Sequence, residues 1–245
     1  SWYRRQRQMC IRDRMLTGPF AHCQIRWGLT GTVPKQEYEY MGIKVGLGEV
    51  TNKIPAKDLQ DKGVLANCHV NVLQTNDILE FRSYAEELKW LTTDAKRMSW
   101  VAQTINDIST SGNTLILVDR ISAGEILEKK IKDSVFIRGA TKNMERKEHY
   151  DEVSTAQTKV IIATYGVAAV GINIPRIFNL VLIEPGKSFV RVIQSIGRGI
   201  RKAEDKDSVN IWDITSACKF ARRHLTQRKK FYNCLLYTSD AADDT

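Results

Sequence analysis

The sequence predicts an α/β fold in which helices cover both faces of a parallel sheet. Short runs of β-branched and other apolar residues recur in the second half of the chain, and stretches with helical periodicity lie between them. Strands that are apolar on both faces are typical of parallel sheets buried between helices. The chain has 245 residues, of which 42% are hydrophobic and 27% charged, and can therefore form a sizeable core.

The predicted elements alternate along residues 94–216. Asp94 can cap a helix whose apolar stripe continues to Ile108. Ligands of parallel sheets bind at the carboxyl ends of the strands, where Asp119, Thr164 and Glu184 fall. The predicted strands are residues 114–118, 135–137, 160–163, 180–183 and 209–214, and the predicted helices between them are residues 123–132, 142–154 and 188–202.

The earlier part of the chain has a less regular pattern. Residues 24–29 predict a short strand, residues 55–62 predict a short helix, and a further strand begins at His69. Glycine and proline residues interrupt the stretch between these elements. We interpret this region as a connector with some structure of its own.

The composition indicates a polyanionic partner and a reducing compartment. The net charge of +9 favours binding to nucleic acid, although basic proteins without such a partner are common. The five cysteines are scattered, without a C-x-x-C pair or a cluster with histidine, which argues against a structural zinc site. The first residues lack the apolar segment of a secretory signal, and we expect a cytoplasmic protein.

Both ends of the chain look foreign to the fold. MCIRDR near the start and CLLYTSDAADDT at the end resemble translated adaptor sequence. We therefore expect residues 1–14 and 234–245 to lie outside the folded domains. The basic character remains when both segments are left out.

The stretch QSIGRGIRK combines three side chains that bind phosphate well. Gln194, Arg198 and Arg201 stand at i, i+4 and i+7, so a helix would carry them on one face. A guanidinium group can donate two parallel hydrogen bonds to a phosphate. On spacing alone, a solvated basic helix face is the alternative.

The last predicted helix, residues 217–233, mixes cations with aromatic residues. It has six Lys or Arg residues between 219 and 230, interleaved with Phe220, Leu225, Phe231 and Tyr232. Cations that bind phosphates and aromatic rings that stack on bases are typical of a nucleic-acid surface. The alternative is an amphipathic helix whose aromatic residues pack on the domain and whose charges are solvated.

The tripeptide Gly186-Lys187-Ser188 resembles the end of a phosphate-binding P-loop. That motif needs another glycine five residues before Gly186, where this sequence has Val181 within a predicted strand. A self-contained P-loop ATPase or kinase is therefore not predicted.

Three segments, read together, resemble motifs of superfamily 2 helicases and translocases. GLTGTVP at residues 28–34 resembles motif III, ATYGVAAVGINIP at residues 163–175 resembles motif V, and QSIGRGIRK resembles motif VI. The order and spacing also fit the family, and residues 212–233 are similar to the end of UvsW-like helicases of large tailed phages. The resemblance covers about residues 20–233 and implies that the parallel sheet is RecA-like.

The resemblance implies roles for residues near the nucleotide. Arg198 and Arg201 would be arginine fingers that stabilise charge on the transferring γ-phosphate, and Gln194 would contact the same phosphate. Gly171 and Asn173 would border the ribose. The family often has Asp at the position of Asn173, so a charge is missing here while a hydrogen-bonding side chain remains.

The resemblance also implies contacts with the nucleic-acid backbone. The residues concerned are Thr164, Gly166, Arg120, Gly139 and Arg146. For Arg146, a solvated charge on a helix is the alternative.

Motif III would couple hydrolysis to domain movement through Thr30, Gly31 and Thr32. Ordinary turn chemistry is the alternative at these positions.

The resemblance implies two RecA-like domains with ATP and Mg²⁺ bound between them. We expect residues 15–60 to be the end of the first domain and the start of a linker, 61–93 the linker, 94–216 the second RecA-like domain, and 217–233 a basic C-terminal helix. The first domain would supply the P-loop and the magnesium ligand, and no metal-binding residue is predicted in this sequence. The 245-residue chain alone is therefore expected not to hydrolyse ATP.

The predicted function is that of the C-terminal half of an ATP-dependent helicase. It would act on nucleic acid, DNA rather than RNA, as a monomeric motor in the cytoplasm, which would be that of the host if a phage encodes it. Two alternatives stay open. One is the motor of a restriction enzyme or a chromatin-type translocase, and the other is a RecA-like module that binds nucleic acid without catalysis.

Overall fold

A computed structural model describes residues 18–28, 37–54, 56–62, 66–141, 143–171, 174, 176–187 and 208–235. The chain divides into two compact units, residues 1–54 and residues 55–245. None of the described helices is long and apolar enough to cross a membrane.

The described part of the first unit contains one helix, α1 (Glu37–Leu47). The prediction of a strand at residues 24–29 is wrong for residues 24–28, which are irregular. The side chains of Ile25 and Trp27 are 80% and 87% exposed, so the apolar character that suggested a strand is not used to form a core. Arg26 instead links this segment to α1, because its Nη1 donates to the Gly46 carbonyl at 3.0 Å.

The second unit contains a sheet of six parallel strands in the order β1-β6-β5-β2-β4-β3. This confirms the predicted α/β fold. Its elements are α2 (Ala56–Asp61), β1 (Asn67–Thr75), α3 (Tyr84–Thr93), α4 (Ala95–Ser109), β2 (Thr114–Val118), α5 (Ile121–Lys130), β3 (Ser134–Ile137), α6 (Asn143–Thr155), β4 (Val160–Thr164), α7 (Tyr165–Gly171), β5 (Asn179–Ile183), β6 (Ser208–Ser216) and α8 (Lys219–Leu235).

The central strands contribute to two hydrophobic clusters on opposite faces of the sheet. In β2, Leu115 and Leu117 belong to one cluster and Ile116 and Val118 to the other, as the alternation of side chains along a strand requires. The first cluster includes residues of α6, α7 and α8, and the second includes residues of α4 and α5. The sheet is therefore a middle layer between two layers of helices.

The cap predicted at the start of α4 is confirmed. The Asp94 carboxylate accepts a hydrogen bond from the backbone N–H of Arg97 at 2.8 Å. This satisfies one of the N–H groups that the first turn of a helix leaves without an intrahelical partner.

The sheet begins earlier than the predicted domain boundary at residue 94. β1 pairs with β6 along its whole length, from Asn67 opposite Ser208 to Thr75 opposite Ser216. Residues 61–93, predicted as linker, thus supply an edge strand and α3. The physical reason is that β1 buries only Cys68, so its sequence lacks the continuous apolar run of the central strands.

Candidate functional site

The carboxyl ends of β2, β3 and β4 meet at one edge of the sheet. Val118 at the end of β2 pairs with Thr164 at the end of β4, and Ile137 at the end of β3 pairs with Ala163. The chain then passes from β4 across β2 to β5, which lies on the other side of β2. The structure thereby brings Arg120, Gly139, Thr164 and Gly166 to the same edge.

Thr164 lies at the junction between β4 and α7. Its hydroxyl accepts a hydrogen bond from the Val167 N–H at 3.4 Å, so it has a local role at the first turn of α7. Gly166 is exposed, and a Cβ at this position would come no closer than 4.0 Å to Thr164 Oγ1. Packing among the described residues therefore does not require glycine here.

Arg120 immediately precedes α5 and is half-buried. Its Nη2 donates to the carbonyl of Ala85 at 3.3 Å, which connects the end of β2 to α3. This contact orients the guanidinium group at the edge where the predicted nucleic-acid contacts collect.

Gly139 follows β3 and is exposed, and a Cβ there would meet nothing within 4 Å. Its neighbour Arg138 is a cation at the same strand end that the motif comparison missed. Arg138 lies over the Phe136 ring at 5.2 Å and forms a 3.0 Å ion pair with Glu125. The only signal in the sequence was an Arg directly after an apolar strand.

Of the other predicted site residues, two lie in described helices and the rest lie outside the described residues. Arg146 lies within α6, and Gly171 is the last residue of α7. The remaining predicted residues, which lie outside the described part of the chain, are Thr30, Gly31, Thr32, Asn173, Gln194, Arg198 and Arg201.

A buried ion pair lies after the end of β5. Glu184 has a positive φ of 42°, and its carboxylate accepts hydrogen bonds from Arg97 at 2.9 Å and from the Thr215 hydroxyl at 3.1 Å. Arg97 also reaches Asp77, which follows β1, at 3.3 Å. These contacts tie together the chain segments after β1 and β5 and the end of β6.

The environment of Glu184 opposes its charged form. Burial raises the pKa of Glu184 to about 7, against the lowering effect of the Arg97 and Arg228 guanidinium groups. This carboxyl group therefore changes its protonation state near neutral pH, where a surface glutamate is ionised. One sign of this cluster is visible in the sequence, since Arg97 stands four residues before Val101 on the apolar stripe of α4.

A second buried ion pair fixes α8 and the loop after β5. Arg228 donates to both carboxylate oxygens of Asp213, at 2.7 and 2.9 Å, and its Nη1 donates to the Gly186 carbonyl at 2.8 Å. Tyr232 donates its hydroxyl proton to Asp213 at 2.7 Å. Burial and then the Asp213 carboxylate raise the pKa of Tyr232, so the phenol remains protonated.

These contacts correct part of the interpretation of α8. Arg228, counted among the cations that could meet phosphate, is fully buried in its pair with Asp213. Leu225 and Tyr232 are buried as well, as in the alternative of an amphipathic helix. Lys219, Arg222, Arg223, Lys229 and Lys230 remain exposed.

Within the described ranges, no group of three or more His, Cys, Asp or Glu side chains is placed to hold a metal.

The sequence from residue 96 to residue 203 matches the family model described as helicase conserved C-terminal domain. Residues 96–203 are a superfamily 2 helicase C-terminal domain. The match contains the segments that resemble motifs V and VI, together with β2 to β5. The helicase domain therefore includes the strand ends at which Arg120, Gly139, Thr164 and Gly166 lie.

Two viral helicases are similar to this chain in sequence. The ATP-dependent DNA helicase uvsW of Enterobacteria phage T4 is 23% identical over 221 residues, which are 86% of this chain and 44% of the relative. A putative helicase of Sulfolobus islandicus filamentous virus is 31% identical over 104 residues, 41% of this chain and 18% of the relative. The chain thus spans less than half the length of these curated relatives.

The crystal structure of T4 UvsW has the same fold. It superposes on this chain with a TM-score of 0.56 and 19% identity, over 80% of this chain and 42% of that one. This agreement confirms that the parallel sheet is RecA-like.

Proposed function

We propose that the chain is the C-terminal half of an ATP-dependent DNA helicase or translocase. The observation that carries the proposal is the helicase family match over residues 96–203, which includes both motif V and motif VI. The similarity to the ATP-dependent DNA helicase of phage T4 supports ATP as the fuel and DNA as the track. We propose that the protein acts as a monomeric motor in the cytoplasm of a phage-infected cell.

In the proposed mechanism, ATP and Mg²⁺ are held mainly by a first RecA-like domain of the parent protein. Arg198 and Arg201 stabilise the negative charge that spreads over the transferring γ-phosphate, and Gln194 contacts the same phosphate. Gly171 and Asn173 border the ribose. The segment Thr30-Gly31-Thr32 couples hydrolysis to domain movement.

The proposed track for nucleic acid is the edge formed by the ends of β2, β3 and β4. Arg120 and Arg146 supply positive charge, while Gly139 and Gly166 allow the backbone of the strand to approach closely. The exposure of both glycines, and the ends of β2, β3 and β4 at one edge of the sheet, support this assignment. Thr164 adds a hydroxyl group at the end of β4.

The decisive experiment measures DNA-stimulated ATP hydrolysis by the full-length parent protein. Arg198→Ala and Arg201→Ala should each lower turnover by about a thousandfold or more, because the charge on the transferring phosphate loses its partner. Lys129→Ala removes an exposed cation of α5 and serves as the matched control. The 245-residue chain alone should show no hydrolysis, and hydrolysis by this chain that Arg198→Ala abolishes would contradict the proposal.

A second measurement tests the track. Affinity for single-stranded DNA should fall linearly with the logarithm of salt concentration, and Arg120→Ala should lower that slope by about one. An affinity that does not respond to salt would refute a basic track at this edge.

A further inference from the structure

A cavity of about 400 Å³ lies between α8, the start of α3 and the loop after β5. One wall is a single face of α8, because Phe220, Arg223, His224 and Gln227 stand at i, i+3, i+4 and i+7. The loop after β5 that lines the cavity follows the neighbour of β2, on the opposite side of β2 from β4 and β3. Its volume is within the range of pockets that hold small ligands.

Three aromatic rings form the flat surfaces of this cavity. The Tyr84 ring meets the His224 ring edge-on, with centroids 4.7 Å apart and planes at 70°. The Phe220 ring lies 6.4 Å from Tyr84 at an angle of 59°. All three residues are half-buried, so the rings are held in place and still reach the cavity.

The charge of the cavity lining is positive. Lys187 and Arg223 are exposed cations in the lining, and none of the described residues that line the cavity is acidic. Burial, followed by the charges of Arg228, Lys187 and Arg223, lowers the pKa of His224 to about 4. His224 is therefore neutral at physiological pH, and both charged side chains among the described lining residues, Lys187 and Arg223, are positive.

Glu87, an acidic residue that contacts the backbone of the lining residue Phe220, already acts as a helix cap. The Glu87 carboxylate accepts hydrogen bonds from the N–H groups of Phe220 at 3.0 Å and Ala221 at 2.6 Å. Glu87 therefore caps α8, and the N–H groups of Phe220 and Ala221 are not available to a ligand anion. Such an anion would bind instead to the side chains of Lys187 and Arg223.

The walls are fixed before any ligand binds. Gly186 has a φ of 71°, and its carbonyl is held by the buried guanidinium of Arg228. A Cβ on Gly186 would lie 3.3 Å from the Tyr84 hydroxyl, so the loop and the ring are in close contact. A site whose parts are already ordered loses less entropy when it binds.

We propose that this cavity binds one nucleotide unit of a single-stranded nucleic acid. The base stacks on the face of the Phe220 ring and meets the Tyr84 ring at an angle, because the two ring planes are inclined at 59°. The phosphate binds Arg223 and Lys187. An acidic peptide would use the two cations and leave the ring faces uncovered, so the paired rings and cations favour a nucleotide. The inference rests on the proposed function, because it adds a contact for the strand along which the motor moves.

The test uses the 245-residue chain and a fluorescently labelled oligo(dT) strand. Arg223→Ala should weaken binding about tenfold, while Arg222→Ala should weaken it less than twofold. Both arginines are exposed and adjacent on α8, but only Arg223 lines the cavity. Phe220→Leu, which removes the ring and keeps an apolar side chain, should weaken binding about five- to a hundredfold. Circular dichroism establishes that each variant is folded.

A Phe220→Trp variant reports directly on stacking. Its fluorescence should be quenched by oligo(dT), and AMP should reproduce the quenching if a free nucleotide can supply the same chemistry. The inference is overturned if inorganic phosphate displaces oligo(dT) as well as AMP does, or if a glutamate-rich peptide binds as tightly as the strand.

Equal losses in Arg222→Ala and Arg223→Ala would also overturn the inference, since they would indicate a diffuse basic surface. That failure leaves the proposed function intact if the full-length protein still shows DNA-stimulated ATPase sensitive to Arg198→Ala. Loss of this sensitivity is the separate result that defeats the proposed function.

Discussion

Arg228 of α8 and Asp213 of β6 form a bidentate ion pair with both side chains fully excluded from solvent. The Arg228 nitrogens Nε and Nη2 lie 2.7 and 2.9 Å from the two Asp213 oxygens. The same guanidinium group also holds the Gly186 carbonyl. One side chain therefore connects the last helix, the last strand and the loop that precedes motif VI in sequence.

Removal of the arginine should be strongly destabilising. Arg228→Ala leaves the Asp213 carboxylate buried without its cation, and we expect the free energy of unfolding to fall by about 3–5 kcal/mol. Lys229→Ala, at the exposed neighbouring position, should change it by less than about 0.5 kcal/mol. Urea denaturation followed by circular dichroism measures both.

The double variant Arg228→Met with Asp213→Leu removes both charges of the pair, whereas Arg228→Ala leaves the Asp213 charge buried alone. It should be clearly more stable than Arg228→Ala, because no unpaired charge remains in the interior. Arg228→Ala and Lys229→Ala variants of equal stability would rule out this account of the pair.

Glu184 should make the stability of the fold depend on pH. Its pKa in the folded chain is raised to about 7 from an ordinary value near 4.5, so the folded state binds more protons than the unfolded state between these values. The stabilising contribution of Glu184 is therefore fully present below about pH 4.5 and is lost as pH rises through 7. The whole effect is at most about 3 kcal/mol.

Glu184→Gln isolates this contribution. The variant cannot titrate, so its stability relative to the parent chain should improve as the pH rises from 5 to 8. Denaturant titrations at several pH values measure the difference. A constant difference over this range would show that Glu184 has an ordinary pKa in the folded state.

Substitution by alanine should destabilise the fold at one glycine and be tolerated at another. A Cβ at Gly124 of α5 would lie 2.7 Å from Phe136 Cε1, and the Phe136 ring is buried. Gly124→Ala should therefore cost about 1–3 kcal/mol of stability. Gly139→Ala adds a methyl group in open space and should be tolerated within about 0.5 kcal/mol.

Gly139→Ala can therefore also be used to test binding of single-stranded DNA. Because the variant should remain folded, a loss of single-stranded DNA affinity would report close approach of the strand to Gly139. Equal destabilisation by the two substitutions would contradict the packing described for α5 and β3.

The cap of α4 should contribute a measurable part of the stability. Asp94→Ala removes the acceptor for the Arg97 N–H and should cost about 1 kcal/mol. Asp94→Asn keeps an acceptor and should cost much less, while Lys96→Ala, at an exposed position two residues later, is the control. If Asn and Ala at position 94 are equally destabilising, the carboxylate acts through its charge instead of this hydrogen bond.

The buried strands could be predicted from the sequence because burial on both faces leaves an unbroken apolar run. β2 and β5 are of this kind, and every residue in each is buried. β1 is an edge strand with one buried residue; a strand was predicted from His69, but its sequence did not indicate that it belongs to the sheet and not to a connector. The missed α3 lies in the same region, where polar residues and short elements give weak periodicity.

The candidate site was predictable only where a motif fixed the position of a residue on a strand end. The motifs predicted Arg120 and Thr164 at strand ends, and the structure has them there. Arg97 and Arg228 could not be recognised as buried, because their partners Glu184 and Asp213 come from distant parts of the chain. A cation on the apolar face of a helix was the only local sign of either pair.

The pairing of β1 with β6 has a consequence for synthesis of the chain. Thr75 and Thr215, which are in hydrogen-bond contact, are separated by 140 residues, whereas β2 to β5 are contained within residues 114–183. The strands β2 to β5 can therefore assemble on the ribosome while β1 still lacks β6, its neighbour in the described sheet. Until β6 emerges, the exposed edges of β1 and β5 are open to pairing with other chains, so we expect aggregation to be most frequent when translation slows between residues 183 and 208.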